Sequence, residues 1–355
     1  MAQADGIPVQ SNNFPPVRAC IFDMDGLLID SEDAYTRVTN TILRENSRPD
    51  LPWSIKAQLQ GRPGPAAGKI FHQWAKLPIS RDDFLKRQAE LQAEEFRHCK
   101  PLPGVESLLG KLKSAHTKSS TTGGLSPGGR GGRKVHVALA TSSHRRNYEI
   151  KTAGMTELFA TFPQRHIIVG DDPRIPRGRG KPLPDIYLLA LQSVNETVAA
   201  EGEGERPIAP EECLVFEDSV PGVEAARRAG MRVVWVPHPG LLDVYAGREE
   251  DVLAGRTGEH KEDDLDHTEG IPLAGSPGQP GEIMDGWGEL LPTLEVFDYE
   301  KYGIEVSDAR YVSENGQSAV DGTTDKELEE MTALADGKRH AAEEPASMYL
   351  PKMSL

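Results

Sequence analysis

Five short apolar runs constrain the fold of this chain more than any other feature of its sequence. Each run spans four to six residues and ends at polar or small residues, which is typical of a buried strand. Helix-like segments separate the later runs, at residues 186–194 and 222–229, and Gly230 is placed to end the second of them. Strands that alternate with helices predict an α/β fold with a parallel sheet and helices on both of its faces. The predicted strands are residues 19–22, 135–140, 166–169, 213–216 and 233–236.

The spacing of the first two predicted strands indicates an inserted domain. More than 110 residues separate them, which is too long for a single crossover connection. Residues 33–100 have mostly helical patterning, and Pro101-Leu102-Pro103-Gly104 then marks the return to the sheet. The chain length of 355 residues also agrees with two domains rather than one. We therefore predict a helical domain at 33–100, inserted into a core formed by 15–32 and 101–304.

Three stretches have compositions that are typical of flexible surface segments. Residues 114–134 are rich in glycine and contain basic but no acidic side chains. Residues 249–282 and 305–355 carry net charges of −8 and −6, which is nearly all of the −15 of the whole chain. We predict flexible insertions at 114–134 and 249–282 and an acidic, disordered tail at 305–355. Because the charge lies in these segments, it does not identify what the rest of the chain binds.

The cysteines and the apolar runs predict the setting in which the protein works. The chain has three cysteines and no Cys-x-x-Cys pair, so a disulfide framework is excluded and a reducing compartment is expected. No run approaches the roughly 18 apolar residues of a membrane span, and the first residues lack the apolar core of a signal peptide. We therefore predict a cytoplasmic protein that binds neither a membrane nor a nucleic acid polymer. A monomer is the expected state, but the sequence leaves the oligomeric state open.

A pair of aspartates follows the first predicted strand. Asp23 and Asp25 are separated by Met24, and alternation along an extended chain places both carboxylates on the same side. Open α/β sheets bind their ligands at the carboxyl ends of the strands. The pattern alone is weak evidence, because Asp264-Leu265-Asp266 repeats it within an acidic stretch. The first pair becomes a candidate site only together with the residues at the other strand ends.

The other strand ends supply complementary groups to the same edge. Thr141 and Ser142 follow the second predicted strand at a predicted helix start, where hydroxyls and backbone N–H groups can bind a phosphate. Lys181 precedes another predicted helix. Glu217 and Asp218 follow the fourth strand. The predicted edge therefore combines four acids, hydroxyls and a lysine.

This combination of side chains can carry out phosphoryl transfer. An aspartate can attack phosphorus and form an aspartyl-phosphate. A second acid two residues away can protonate the leaving oxygen and later deprotonate water. One or two carboxylates together with a substrate phosphate suit Mg²⁺, and the lysine stabilises the negative charge that accumulates. We therefore predict Mg²⁺-dependent hydrolysis of a small phosphorylated metabolite.

The same residues resemble the four motifs of the haloacid dehalogenase-like hydrolase superfamily. The segment from Asp23 to Glu32, with the sequence DMDGLLIDSE, resembles its first motif. Thr141, Lys181 and Glu217-Asp218 lie where its second, third and fourth motifs are expected. The resemblance covers about residues 15–305 and implies a Rossmann-like core with an inserted helical cap.

The resemblance also implies a role for each of these residues. Asp23 would be the nucleophile and Asp25 the general acid and base. The Asp23 side chain, the Asp25 backbone carbonyl and Asp218 would hold Mg²⁺, with Glu217 behind them. The implied phosphate ligands are Thr141, Ser142 and Lys181.

The cap of the superfamily selects the leaving group of the substrate. Gly61-Arg62-Pro63-Gly64 lies where such caps place a loop that faces the substrate, and Arg62 could contact a phosphate or a sugar. Within the superfamily the chain is similar to the pseudouridine 5′-phosphatases, in residues 138–143, 169–173 and 213–218. This likeness implies pseudouridine 5′-phosphate or a related small sugar or nucleotide monophosphate as the substrate. The alternatives are a sugar-phosphate, glycerol-phosphate or FMN phosphatase, a phosphomutase, and a non-enzymatic relative that binds a partner.

Overall fold

The computed structural model describes residues 14–62, 64–118, 132–201, 204–257 and 279–307. Most of the predicted insertions and tail, at 119–131, 258–278 and 308–355, lies outside these described residues. Within the described ranges, no helix combines the length and the apolar character that crossing a bilayer requires.

A six-stranded parallel sheet forms the centre of the protein. Its strand order is β4-β3-β1-β5-β6-β7, and every neighbouring pair is parallel. The five predicted strands are confirmed as members of this sheet, and none of their ends differs from the prediction by more than one residue. The strands of the described chain are β1 (Ala19–Phe22), β2 (His116–Thr117), β3 (His136–Ala140), β4 (Ile167–Ile168), β5 (Cys213–Glu217), β6 (Arg232–Trp235), β7 (Gly288–Leu290) and β8 (Ile304–Glu305).

Helices cover both faces of the sheet, as the continuously apolar strands require. Alternate residues of β1 point into two different hydrophobic clusters, Cys20 and Phe22 into one and Ala19 and Ile21 into the other. The predicted α/β fold with a Rossmann-like sheet is therefore confirmed. The helices are α1 (Ser31–Glu45), α2 (Trp53–Leu59), α3 (Gly64–Ala75), α4 (Arg81–Glu95), α5 (Val105–Leu112), α6 (Arg145–Thr152), α7 (Thr156–Phe159), α8 (Asp185–Glu201), α9 (Val220–Arg228), α10 (Pro239–Val244) and α11 (Glu249–Leu253).

Three of the observed strands were not expected from the sequence. β7 adds a sixth strand to the sheet, although its three residues are only half buried. β2 and β8 form a separate antiparallel pair, in which His116 lies opposite Glu305. The described ends of the predicted insertions and tail thus include the ordered elements β2, α11 and Glu305 of β8. These short strands are stabilised by pairing with neighbouring chain segments. They therefore need no apolar run of their own that would mark them in the sequence.

The helices α1 to α4 have a small hydrophobic cluster of their own. Val38 and Ile42 of α1 pack there with Phe71 of α3 and Phe84 of α4. Ser80 begins α4 as an N-cap, and its hydroxyl accepts a hydrogen bond from the backbone N–H of Asp83. The separate cluster agrees with an inserted helical unit, while the exact division into core and cap stays a prediction.

The register of the three central strands determines where the candidate site residues lie. Phe22, the last residue of β1, is paired with Leu139 of β3 and Phe216 of β5. The next residues of these strands, among them Asp23 and Glu217, therefore emerge at the same level of the sheet edge. Residues that are about 190 positions apart in the sequence thus become neighbours.

Candidate active site

Asp23, Lys181 and Glu217 form a buried charged group at the carboxyl edge of the sheet. The Lys181 ammonium donates to Asp23 Oδ1 at 2.5 Å and to Glu217 Oε1 at 2.6 Å. It also donates to the backbone carbonyl of Ala140, at 3.2 Å. Burial alone would lower the pKa of Lys181, but the two carboxylates raise it above the ordinary value of a lysine. Lys181 is therefore held charged between the first and fourth strand ends, as the sequence pattern predicted.

Glu217 is enclosed by hydrogen-bond donors from its own loop and from α8. Tyr187 donates its hydroxyl to Glu217 Oε1 at 2.6 Å. The backbone N–H groups of Asp218 and Ser219, and the Ser219 hydroxyl, each donate to Oε2 at 3.0 Å. Both oxygens of Glu217 are therefore engaged, by Lys181 and by these donors, and its side chain is fully buried.

Asp218 is buried close enough to Asp23 for their charges to interact, and within the described part of the chain it forms no ion pair with a lysine or arginine. Gln60, from the end of α2, donates its amide N–H to Asp218 Oδ2 at 2.5 Å. Burial raises the pKa of Asp218 well above the ordinary value, and the charges of Glu217 and Asp23 raise it further. Burial likewise raises the pKa of Asp23 to about 7, against the lowering effect of Lys181. The negative charge of this pair of carboxylates is therefore only partly compensated.

The donors at this edge fit a Mg²⁺ ion. The carboxylates of Asp23 and Asp218, whose negative charge is only partly compensated, are hard oxygen ligands, which Mg²⁺ prefers. Among the described residues no group of three or more His, Cys, Asp or Glu side chains forms a metal cage. Mg²⁺ is commonly held by one or two carboxylates together with water and a substrate phosphate, so this small donor set is compatible with it. The ligand set Asp23, Asp25 and Asp218 stays a prediction.

The Asp25 carboxylate is held by a second group of polar side chains. Ser31 donates to its Oδ1 at 2.5 Å, and Ser143 donates to its Oδ2 at 2.6 Å. Lys151 forms an ion pair with Oδ1, and Thr141 lies 3.4 Å from Oδ2. Burial would raise the pKa of Asp25, but Lys151 and the two serines lower it below the ordinary value of an aspartate. The pKa values of Asp23 and Asp25 are therefore shifted in opposite directions, although the two residues are only two positions apart and each is paired with a buried lysine.

Gly26 allows the loop after β1 to pass close to Asp218. Its φ of +80° lies in the left-handed region, and a Cβ there would lie 2.2 Å from Asp218 Oδ2. Gly247 has a similar φ of +78°, but a Cβ there would have no neighbour within 4 Å. The two glycines therefore share the backbone requirement and differ in the space around them.

We expect Gly26→Ala to destabilise the protein clearly more than Gly247→Ala. The backbone conformation alone costs about 1–2 kcal/mol for a residue with a Cβ, which applies to both variants. At Gly26 the methyl group also clashes with Asp218, so the total loss should reach about 3 kcal/mol. The measurement is urea unfolding of both variants and the parent protein. Equal losses in the two variants would show that the loop shifts away without penalty.

A cavity of about 560 Å³ opens above these groups, between them and helices α1 to α4. Asp23, Asp25 and Asp218 line its floor. Ser142 and Arg62 also line it, as the sequence predicted for residues that face a substrate. A further part of the wall is aromatic and polar, with Tyr35, Phe71, Phe84 and Gln92. The volume is in the range of sites that enclose a small organic ligand.

The structure thus brings all of the predicted site residues to one place, and it adds others. Asp23, Lys181, Glu217 and Asp218 form one connected group, whereas Thr141 lies against Asp25. Five further residues of the site were not predicted from the sequence: Ser31, Ser143, Lys151, Tyr187 and Gln60. Lys151 could have been found from helical spacing, because it lies on the same buried face of α6 as Tyr148 and Thr152.

Comparison with known proteins agrees with this arrangement. A family model described as haloacid dehalogenase-like hydrolase matches residues 17–230, more than half of the chain. A Saccharomyces cerevisiae protein named a probable pseudouridine-5′-phosphatase is 38% identical over 81% of this chain and 98% of its own length. An uncharacterized protein of Schizosaccharomyces pombe is 37% identical over 80% of this chain and 93% of its own. The (DL)-glycerol-3-phosphatase 2 of Arabidopsis thaliana is 35% identical over 62% of this chain and 80% of its own.

These matches confirm the resemblance on which the sequence analysis relied, including the likeness to pseudouridine 5′-phosphatases. They also confirm that the protein is an enzyme whose named relatives are phosphatases. The matched segment contains the strand ends that carry Asp23, Thr141, Glu217 and Asp218, and the loop before α8 that carries Lys181. The chain belongs to the haloacid dehalogenase-like hydrolase family.

Proposed function

We propose that the protein is a Mg²⁺-dependent hydrolase of small phosphomonoesters that works through a phosphorylated Asp23. The observation that carries the proposal is the position of the buried Lys181 ammonium, 2.5 Å from Asp23, which lines the cavity, and 2.6 Å from Glu217. A carboxylate that is held by a buried cation next to an open cavity has the surroundings of a nucleophile for a negatively charged substrate.

The first step is the attack of Asp23 on phosphorus. Lys181 engages Oδ1 of Asp23, so we assign the attack to Oδ2. The P–O bond to the leaving group breaks as the bond to Asp23 forms, and Lys181 offsets the charge that accumulates on the phosphoryl oxygens. Thr141 and Ser142, in the loop before α6, are assigned to hold the phosphate with their hydroxyl and N–H groups. Glu217 keeps the Lys181 ammonium in place through its own buried hydrogen bonds.

Asp25 is assigned both proton transfers. It donates a proton to the leaving oxygen in the first step and accepts one from water in the second, when water attacks the phosphorylated Asp23. Mg²⁺, held by the Asp23 side chain, the Asp25 carbonyl and Asp218, would supply positive charge that orients the phosphate and offsets its negative charge. The products are inorganic phosphate and the free alcohol.

We propose pseudouridine 5′-phosphate, or a related sugar or nucleotide monophosphate, as the substrate. Three observations support this choice: the likeness to the S. cerevisiae relative, the cavity of about 560 Å³, and the aromatic side chains Tyr35, Phe71 and Phe84 in its wall. Aromatic rings can stack on a base, and Arg62 is placed to contact a phosphate or sugar. Glycerol phosphate is the second candidate, supported by the A. thaliana relative.

The test is the release of inorganic phosphate from a panel of monoesters with Mg²⁺ and with excess chelator. The panel contains pseudouridine 5′-phosphate, uridine 5′-phosphate, a sugar phosphate, glycerol 3-phosphate and FMN. We expect release from at least one nucleoside or sugar monophosphate with Mg²⁺, and loss of that release with chelator. Full activity in the chelator would contradict the metal assignment, and return of the phosphate to the substrate would indicate a phosphomutase instead.

A further inference from the structure

Lys151 is a fully buried cation to which the proposed chemistry has given no part. It lies in the last turn of α6, and its side chain has no exposed surface. Its ammonium pairs with Asp25 Oδ1, and it donates to Ser143 Oγ at 2.9 Å and to Tyr35 OH at 3.0 Å. The ammonium also lies 4.5 Å from the ring centre of Tyr35 and 4.6 Å from that of Phe96. Asp25, one of that aspartate's own hydroxyl partners and two aromatic rings therefore lie directly around the ammonium.

A buried lysine of this kind is costly unless its contacts compensate for the lost hydration. A charge taken out of water needs a partner of opposite charge and further hydrogen bonds. Lys151 has these only because Asp25 and Ser143 lie where they do. The reverse also holds: Asp25 accepts from Ser31 and Ser143 and pairs with Lys151, so three side chains determine which way its carboxylate faces. The orientation of Asp25 is therefore coupled to Lys151.

We propose that Lys151 is a positioning residue for Asp25, with no contact to the substrate of its own. The proposal rests on the proposed function, because it concerns the proton transfers assigned to Asp25. General acid–base catalysis requires the donor and the reacting oxygen to meet at hydrogen-bond distance, and a carboxylate that turns freely spends little time there. Lys151 and Ser143 together limit that freedom, since Lys151 binds Ser143 as well as Asp25.

The test is a double-mutant cycle of Lys151→Met and Asp25→Asn, with phosphate esters that differ in their leaving group. Methionine keeps most of the volume of the lysine and removes its charge. With an alkyl phosphate, whose leaving oxygen needs a proton, we expect Lys151→Met to lower kcat about 30- to 100-fold, within the range of general acid–base effects. KM should change less than about threefold, because Lys151 does not touch the substrate. The phosphorylation burst with an activated aryl phosphate should survive, followed by a slow steady state.

The double-mutant cycle distinguishes positioning of Asp25 by Lys151 from a contribution of Lys151 to stability alone. In the Asp25→Asn background, Lys151→Met should lower the remaining activity less than about twofold, because the group that it positions is already lost. Thermal unfolding gives a second readout that needs no activity. Asp25→Asn leaves the ammonium without its carboxylate, so adding Lys151→Met should then raise Tm rather than lower it further.

Lys56 provides a matched control. It is also a buried lysine beside the cavity, with a carboxylate partner, Glu32 at 3.3 Å, and an aromatic ring, Trp53 at 4.5 Å. The Lys56 ammonium donates its hydrogen bonds to Glu32 and Thr36 rather than to Asp25, so the effect of Lys56→Met should be the same in the parent and Asp25→Asn backgrounds. Should Lys151→Met not fold, Tyr35→Phe removes one hydrogen bond to Lys151 and keeps the ring. We expect it to lower kcat about threefold to tenfold with the alkyl phosphate, and less than about twofold after Asp25→Asn.

The outcomes distinguish a failure of the role proposed for Lys151 from a failure of the proposed function. If the parent protein hydrolyses monoesters but the effects of Lys151→Met and Asp25→Asn on kcat are additive, the role of Lys151 is overturned and the proposed function remains. Loss of the phosphorylation burst with the aryl ester, together with the loss of kcat with the alkyl ester, would overturn it as well, since that pattern would indicate a general loss of structure. If the parent protein releases no phosphate from any monoester, the proposed function fails and with it the part given to Lys151.

Discussion

Asp23→Asn should lower phosphomonoester hydrolysis by about 10⁴-fold or more, because it removes the carboxylate that is proposed to attack phosphorus. The amide keeps the size of the side chain and can still lie against Lys181, so the fold should remain. No covalent route is left, and the reaction should show neither a burst nor a steady state above background. The measurement is a rapid-quench experiment with an activated aryl phosphate.

Asp25→Asn is the matched comparison, since the two aspartates are two residues apart and follow the same strand. With the activated ester the leaving oxygen needs no proton, so Asp23 should still be phosphorylated and a burst should be visible. Hydrolysis of the intermediate should then be slow, because water has lost its base. A burst that survives Asp23→Asn and disappears in Asp25→Asn would reverse the two roles. Circular dichroism of both variants provides the control for folding.

Lys181→Met should cause the second large loss. It removes the ammonium that lies 2.5 Å from Asp23, and it leaves Asp23 and Glu217 as buried carboxylates without their common partner. Removing one member of a buried ion pair typically costs about 3–5 kcal/mol of stability. The loss of charge stabilisation in the transition state should lower kcat about 10²- to 10³-fold, which is roughly 3–4 kcal/mol.

Tyr187→Phe serves as the control for Lys181→Met. It removes one hydrogen bond to Glu217, at 2.6 Å, and leaves the cation in place. We expect it to cost about 1–2 kcal/mol of stability and less than about tenfold in kcat. Urea unfolding and steady-state kinetics of both variants test the comparison. If Lys181→Met retains more than a tenth of the parent kcat, the ammonium is not the group that stabilises the transferred phosphoryl.

The elements that the sequence predicted share one property: their signal is local. The apolar runs of β1, β3, β4, β5 and β6 are continuous because both faces of these strands are buried, so they could be located within a few residues. The acids and the lysine of the site were found for a related reason. They directly follow strands or precede a helix, and the parallel arrangement of the strands then brings Asp23, Lys181 and Glu217 together.

Elements whose stability comes from neighbours were not predicted. β7 is a three-residue strand that pairs with β6, and β2 pairs with β8 from a segment 188 positions later. Neither has an apolar run of its own that would distinguish it from a loop. The length and the pairing of these strands depend on the neighbouring strands that are available to form hydrogen bonds with them.

The sequence alone determined the strand-helix alternation and the identity of the acids and the lysine at the strand ends, because each of these is written in a few adjacent residues. Only the tertiary structure decided that the two aspartates have different surroundings, with Asp23 paired to Lys181 and Asp25 to Lys151. Lys151 is 126 positions from Asp25, and Lys181 is 158 positions from Asp23. Which lysine meets which carboxylate depends on how the helices pack on the sheet, and no pattern of neighbouring residues records that.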